Sequence, residues 1–154
     1  GPAHGRGSLM ADAIRIARIS DEPLDLAAHI AAVSGPTAGG IATFVGTVRD
    51  HDPGARGEVT LLEYSSHPDA ERILGGIAAS CLAETEAECA IAVTHRIGKL
   101  GVGDLAVVVA VSSAHRAPAF EVCRALIERI KTDLPIWKRQ HEHDGTASWV
   151  GLDA

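Results

Sequence analysis

Two lysines, Lys131 and Lys138, stand seven positions apart in the stretch KTDLPIWKRQ, with Pro135 and Trp137 between them. On one uninterrupted helix that spacing would stack both ammonium groups on a single face. Pro135 forbids such a helix, because it lacks a backbone N–H and its ring clashes with the preceding turn. The lysines therefore meet, if they meet, across a helix end and the strand or loop that follows. Other cationic groups also fall at the ends of predicted elements. Arg49 closes a predicted strand, and His115 with Arg116 lies between a strand and a helix, where free N–H groups and the helix dipole also favour an anion. Together these side chains could make a pocket for phosphate or carboxylate, with lysines for proton transfer or charge stabilisation.

Each group also has a plainer reading. A lysine near a helix C-terminus is ordinarily a solvated partner of the helix dipole. Arg49 precedes Asp50, as in many surface ion pairs. Trp137 and Trp149 are more often core or interface anchors than stacking platforms. The stretch THRIGKLGVGD (94–104) reads chiefly as turn chemistry around Gly98, Gly101 and Gly103. His141 and His143 alternate in HEH, yet no cysteine or HExxH partner supports a metal site, and a polar hairpin is the simpler account. No metal and no cofactor is expected.

The whole chain sets the background for such a pocket. Its 154 residues suffice for one domain with a real core but hardly for two. The first nine, GPAHGRGSL, read as an expression-tag remnant ahead of Met10, leaving 10–154 as the domain. A net charge of -6 argues against broad nucleic-acid or anionic-membrane binding, so any anion site must be a local basic cluster. No apolar run approaches the roughly 20 residues that span a bilayer. Cys81, Cys89 and Cys123 lack CxxC spacing and sit in apolar patterns, which suits buried thiols of a cytosolic protein.

The hydrophobic pattern predicts the elements that must position these groups. Strands are expected over 13–19, 39–50, 59–66, 89–98 and 104–113, and helices over 21–33 and 68–85. GKLGVG reads as a turn and HDPGARGE (51–58) as a mobile loop. Phe120, Cys123, Ile127, Ile130 and Leu134 mark one stripe of a long helix, followed by two short strands, PIWKRQ and ASWVGL. Helices and strands mix without strict alternation, which predicts a single α+β domain rather than a doubly wound one.

Six stretches occur together in the order of one family: FVGTVRDH (44–51), LEY (62–64), THRIGKLGVGD (94–104), SSAHRAPAFEVC (112–123), IKTDLPIWKR (130–139) and DGTASWV (144–150). Over about residues 13 to 150 the chain resembles the MoaE family, the large catalytic subunits of molybdopterin synthase. The resemblance implies an α/β hammerhead-type fold with a mixed, mainly antiparallel sheet. It implies a sulfurtransferase that converts cyclic pyranopterin monophosphate (precursor Z) to molybdopterin in molybdenum cofactor biosynthesis. The implied sulfur donor is the thiocarboxylated C-terminal Gly-Gly of a small ubiquitin-like subunit, MoaD. The implied assembly is a homodimer of large subunits within a heterotetramer.

Position by position, Lys131 and Lys138 match the family's active-site lysines. Arg49, His115 and Arg116 match its substrate-pocket basic residues, and Phe44 and Pro135 would shape the pocket. Gln140 departs from the glutamate of many relatives, which bears on how Lys138 is oriented. The alternative is a module that binds a ubiquitin-like Gly-Gly tail or a phosphorylated pterin without chemistry. A stand-alone hydrolase lacks a paired carboxylate, a metal cluster or a nucleophile elbow.

Overall fold

The computed structural model describes residues 12–50, 59–142 and 147–151. Its strands are β1 (Ile14–Ser20), β2 (Gly40–Thr47), β3 (Val59–Ser66), β4 (Cys89–Arg96), β5 (Gly98–Gly101), β6 (Leu105–Ser113), β7 (Ile136–Glu142) and β8 (Ala147–Gly151). Its helices are α1 (Leu26–Val33), α2 (Ala70–Ala83) and α3 (Arg116–Asp133). The strands form two four-stranded sheets, ordered β1-β4-β6-β2 and β5-β3-β7-β8. All pairings are antiparallel except β1 with β4. The mixed, mainly antiparallel α+β architecture is the one expected.

The first sheet is covered on both faces, so its central strands read as nearly continuous apolar runs. Alternation along β4 sorts those runs. Ile91 and Val93 join the main core, whereas Ala92 faces Val33 of α1 together with Ala110, its register partner on β6. Alanines on that side let the short α1 lie close to the sheet. Buried His29 ties the two together, its ring nitrogens 2.6 Å from the Asp25 carbonyl and 2.8 Å from the Thr94 hydroxyl. On the other face, α2 and α3 bury Leu74, Ala78, Leu126 and Ile130 against Ile91, Val109 and Val111. The second sheet adds Leu62, Tyr64, Leu100 and Ile136 to the same core.

Three sequence expectations are corrected. The first helix begins at Leu26 rather than residue 21, because Asp25 is its cap: the Ala28 N–H donates to the Asp25 carboxylate at 3.1 Å. GKLG is not a turn but strand β5, with Leu100 opposite Leu62 and fully buried. Phe120 is 64% exposed and leaves the predicted stripe, since α3 buries Ala119, Val122, Cys123, Leu126, Ile127 and Ile130 instead. One position along a helix turns a side chain by about 100°, enough to carry Phe120 to the surface. The expectations for residues 1–9, for the loop at 51–58 and for His143 lie outside the described residues, as does the side chain of Gln140.

Candidate active site

The C-terminal end of α3 and the two sheets meet around a cavity of about 210 Å³. Each wall brings side chains that its local pattern dictates. On β7 the period-2 alternation buries Ile136 and Lys138 and leaves Trp137 half exposed. Lys138 is thereby turned inward, only 8% exposed, beside its cross-strand partner Tyr64 on β3. Lys131 lies in the last turn of α3, following Ile127 and Ile130, which also line the cavity. Leu134 has extended dihedrals (φ -75°, ψ 123°) and its N–H closes the helix on the Ile130 carbonyl at 3.1 Å. Extended backbone is what a residue before proline must adopt, so Pro135 sets the break that separates the two lysines.

The third cation is placed by a different device. The register of β2 against β6 shifts between Gly46 and Thr47, an irregularity that re-aims the strand end. Gly46 is required there, because a Cβ would lie 2.7 Å from the Val107 side chain. Beyond the bulge, the Val48 N–H donates to the Asp104 carbonyl at 3.0 Å and the Gly103 N–H donates to the Val48 carbonyl at 2.7 Å. Gly103 has a φ of +89°, open to glycine at little cost. The Asp104 carboxylate accepts from the Gly101 N–H at 2.9 Å and lies 3.8 Å from the Arg96 guanidinium. The glycine-rich turn thus clamps Val48 and holds the adjacent Arg49 at the cavity.

Phe44, Thr47, Leu62, Tyr64, Val107 and His95 complete much of the lining. Arg49, Lys131 and Lys138 are its charged side chains, and among the described residues no carboxylate lines it. Such a wall suits an anion, and the apolar remainder suits a flat organic body attached to one.

Of the sequence-predicted residues, the fold brings Arg49, Lys131, Lys138 and Phe44 to one cavity. Pro135 is not among its lining residues; its carbonyl accepts from the His67 N–H at 3.0 Å. His115 and Arg116 stand at the opposite end of α3, whose rise puts Arg116 about 22 Å from Lys131 along the axis. Within one chain they do not join the lysines. Among the lining residues not singled out from sequence are His95 and Tyr64. The usable signal was the run CAIAVTH, whose alternation makes position 95 an inward-facing strand position. Among the described residues, no cluster of three or more histidine, cysteine, aspartate or glutamate side chains could hold a metal ion.

Comparison with known proteins places this geometry in a family. Residues 19–133 match the family model described as MoaE protein. The molybdopterin synthase catalytic subunit 1 of Mycobacterium tuberculosis is 46% identical over 136 residues, covering 87% of this chain and 89% of that protein. The crystal structure of molybdopterin synthase from Staphylococcus aureus superposes with a TM-score of 0.79 at 33% identity, covering 86% of this chain and 95% of that one. A chain in the complex of subunits 1 and 2 of the molybdopterin-converting factor from Helicobacter pylori shares the fold, with a TM-score of 0.68 at 19% identity and coverage of 87% and 88%. On its own sequence and fold, the chain belongs to the MoaE family.

Proposed function

We propose that this chain is the large subunit of a molybdopterin synthase. It transfers sulfur from the thiocarboxylated C-terminus of a small ubiquitin-like subunit to cyclic pyranopterin monophosphate. The observation that carries this reading is the convergence of Lys131, Lys138 and Arg49 on one cavity, lined by no carboxylate among the described residues, in a chain of this family. Substrate and sulfur donor are both anions, and an acidic protein can bring them together only at a local concentration of positive charge.

The positions of the lysines suggest their division of labour. Lys131, exposed and on the last turn of α3, can reach an incoming thiocarboxylate. It is the principal catalytic group, assisting attack of sulfur and departure of oxygen as acid/base or through a transient covalent link. Lys138, inward-facing and held in a strand, fixes the phosphate or the thiocarboxylate, and Arg49 adds directed donors. His115 and Arg116 serve the same substrate if a second copy presents the start of its α3 to this cavity, in keeping with a homodimeric core. The Helicobacter pylori complex, in which a chain of this fold sits with a second subunit, supports the small-subunit partnership. A cytosolic setting fits three free, buried cysteines, and no helix among the described residues is long and apolar enough to cross a membrane.

The test mixes the protein with a thiocarboxylated small subunit and cyclic pyranopterin monophosphate and measures molybdopterin. Wild type should turn over, and Lys131→Ala should lose about 100-fold or more in rate while binding the small subunit normally. Binding of both ligands without product would favour the non-catalytic module. Normal turnover by Lys131→Ala would remove that residue from the chemistry.

A further inference from the structure

His95 occupies the inner wall of the cavity and has no part in the chemistry proposed above. It is the next-to-last residue of β4, with Ile19 of β1 and Val107 of β6 as register partners, and is only 2% exposed. Its Nδ1 lies 2.7 Å from the carbonyl oxygen of Arg96. A carbonyl only accepts, so Nδ1 carries the hydrogen and Nε2 keeps its lone pair. The ring meets Tyr64 edge to face, with centroids 5.2 Å apart and planes at 72°, which fixes its orientation. Burial, opposed by the Arg96 carbonyl and aided by the charge of Lys131, lowers its pKa to about 4. The imidazole is therefore neutral near pH 7. Among the described residues the ring makes this one hydrogen bond, so Nε2 is the polar atom it offers the cavity it lines.

The other polar side chains of the lining make that atom distinctive. Arg49, Lys131 and Lys138 only donate while charged, and the hydroxyls of Thr47 and Tyr64 either donate or accept. Among the described residues, His95 Nε2 is the lining side-chain atom restricted to accepting. Cations alone cannot orient a heterocycle whose edge carries N–H groups. We infer that Nε2 of His95 accepts a hydrogen bond from an N–H or O–H of the bound pyranopterin, making His95 a specificity-determining residue that orients the ring while the cations hold the phosphate. This rests on the substrate proposed above.

The experiment measures binding of cyclic pyranopterin monophosphate and of inorganic phosphate by calorimetry. The proteins are wild type, His95→Gln, His95→Met and His95→Asn, each checked for cooperative unfolding. Glutamine and methionine have nearly the same length and both lose the Nδ1 link; only glutamine places an acceptor near the position of Nε2. Asparagine retains a donor for the Arg96 carbonyl but does not reach Nε2. The expected result is pterin binding about tenfold weaker in Met and Asn than in Gln, with phosphate binding unchanged in all. Equal pterin affinity in Gln and Met overturns the inference, as does equal loss for pterin and phosphate. Unchanged pterin affinity in every variant with a lower kcat also overturns it, and would make His95 a positioning residue for Lys131. Wild-type protein that binds phosphate but no pterin would overturn the proposed function, and this inference with it.

Discussion

The distance along α3 makes a quantitative prediction about assembly. Arg116 and Lys131 are separated by about 22 Å of helix and only Lys131 lines the cavity, so a substrate bound there meets an Arg116 only from a second copy. Suppose Arg116→Ala and Lys131→Ala each abolish activity, and the two variants are unfolded, mixed equally and refolded together. Random pairing makes about half of the dimers mixed. In a mixed dimer one site carries both substitutions and the other carries neither. Half of the sites in half of the dimers are then intact, and molybdopterin formation should recover to about a quarter of the wild-type rate. A tagged-pair purification that isolates mixed dimers should raise this to about half. The assay requires saturating thiocarboxylated small subunit, so that only the large subunit limits. No recovery above the two parents, from dimers shown to be mixed, would refute the shared site. Arg116 would then act away from the chemistry.

Two other outcomes test the supporting structure. Gly103→Ala forces an L-residue to a φ of +89° and should cost about 1–2 kcal/mol of stability, read by denaturant unfolding. Because Gly103 also anchors Val48, the substrate KM should rise with it, and a stability loss without a KM change would detach the clamp from Arg49. The depressed pKa of His95 has a definite sign. The unfolded chain takes up this proton near pH 6.5 but the folded one only near 4, so stability is present above pH 6.5 and is lost as pH falls toward 4. Between pH 7 and 5.5 the loss attributable to His95 is about 1 kcal/mol, and His95→Asn should flatten the stability profile by that amount. An unchanged slope in the variant would mean the imidazole is not held neutral.

What could be read from the chain and what could not divide along physical lines. Alternation in AVVVAV and CAIAVTH identifies buried strands because a side-chain period of two is local to each strand. The cap at Asp25 and the pairing of GKLG were missed for one reason. Pro23 and the glycines carry local signals, whereas the start of α1 and strand β5 depend on a carboxylate turned back to a helix N–H and on a neighbouring β3. Phe120 was misplaced because a helical stripe is defined only to about one residue until the sheet beneath it is known.

For the site, ordered motifs pointed to Lys131, Lys138 and Arg49 because residue type and family order are properties of the one-dimensional chain. The enclosure of these residues was decided by tertiary structure. Lys138 turns inward because β7 pairs with β3 and buries alternate positions, and Arg49 is aimed by a turn more than fifty residues away. His95 fell within an expected strand, but what its side chain faced was open until β4 found its two neighbours. Only long-range pairing tells which face of a strand looks into a cavity, and only the length of α3 places His115 and Arg116 out of reach of the lysines they accompany in sequence.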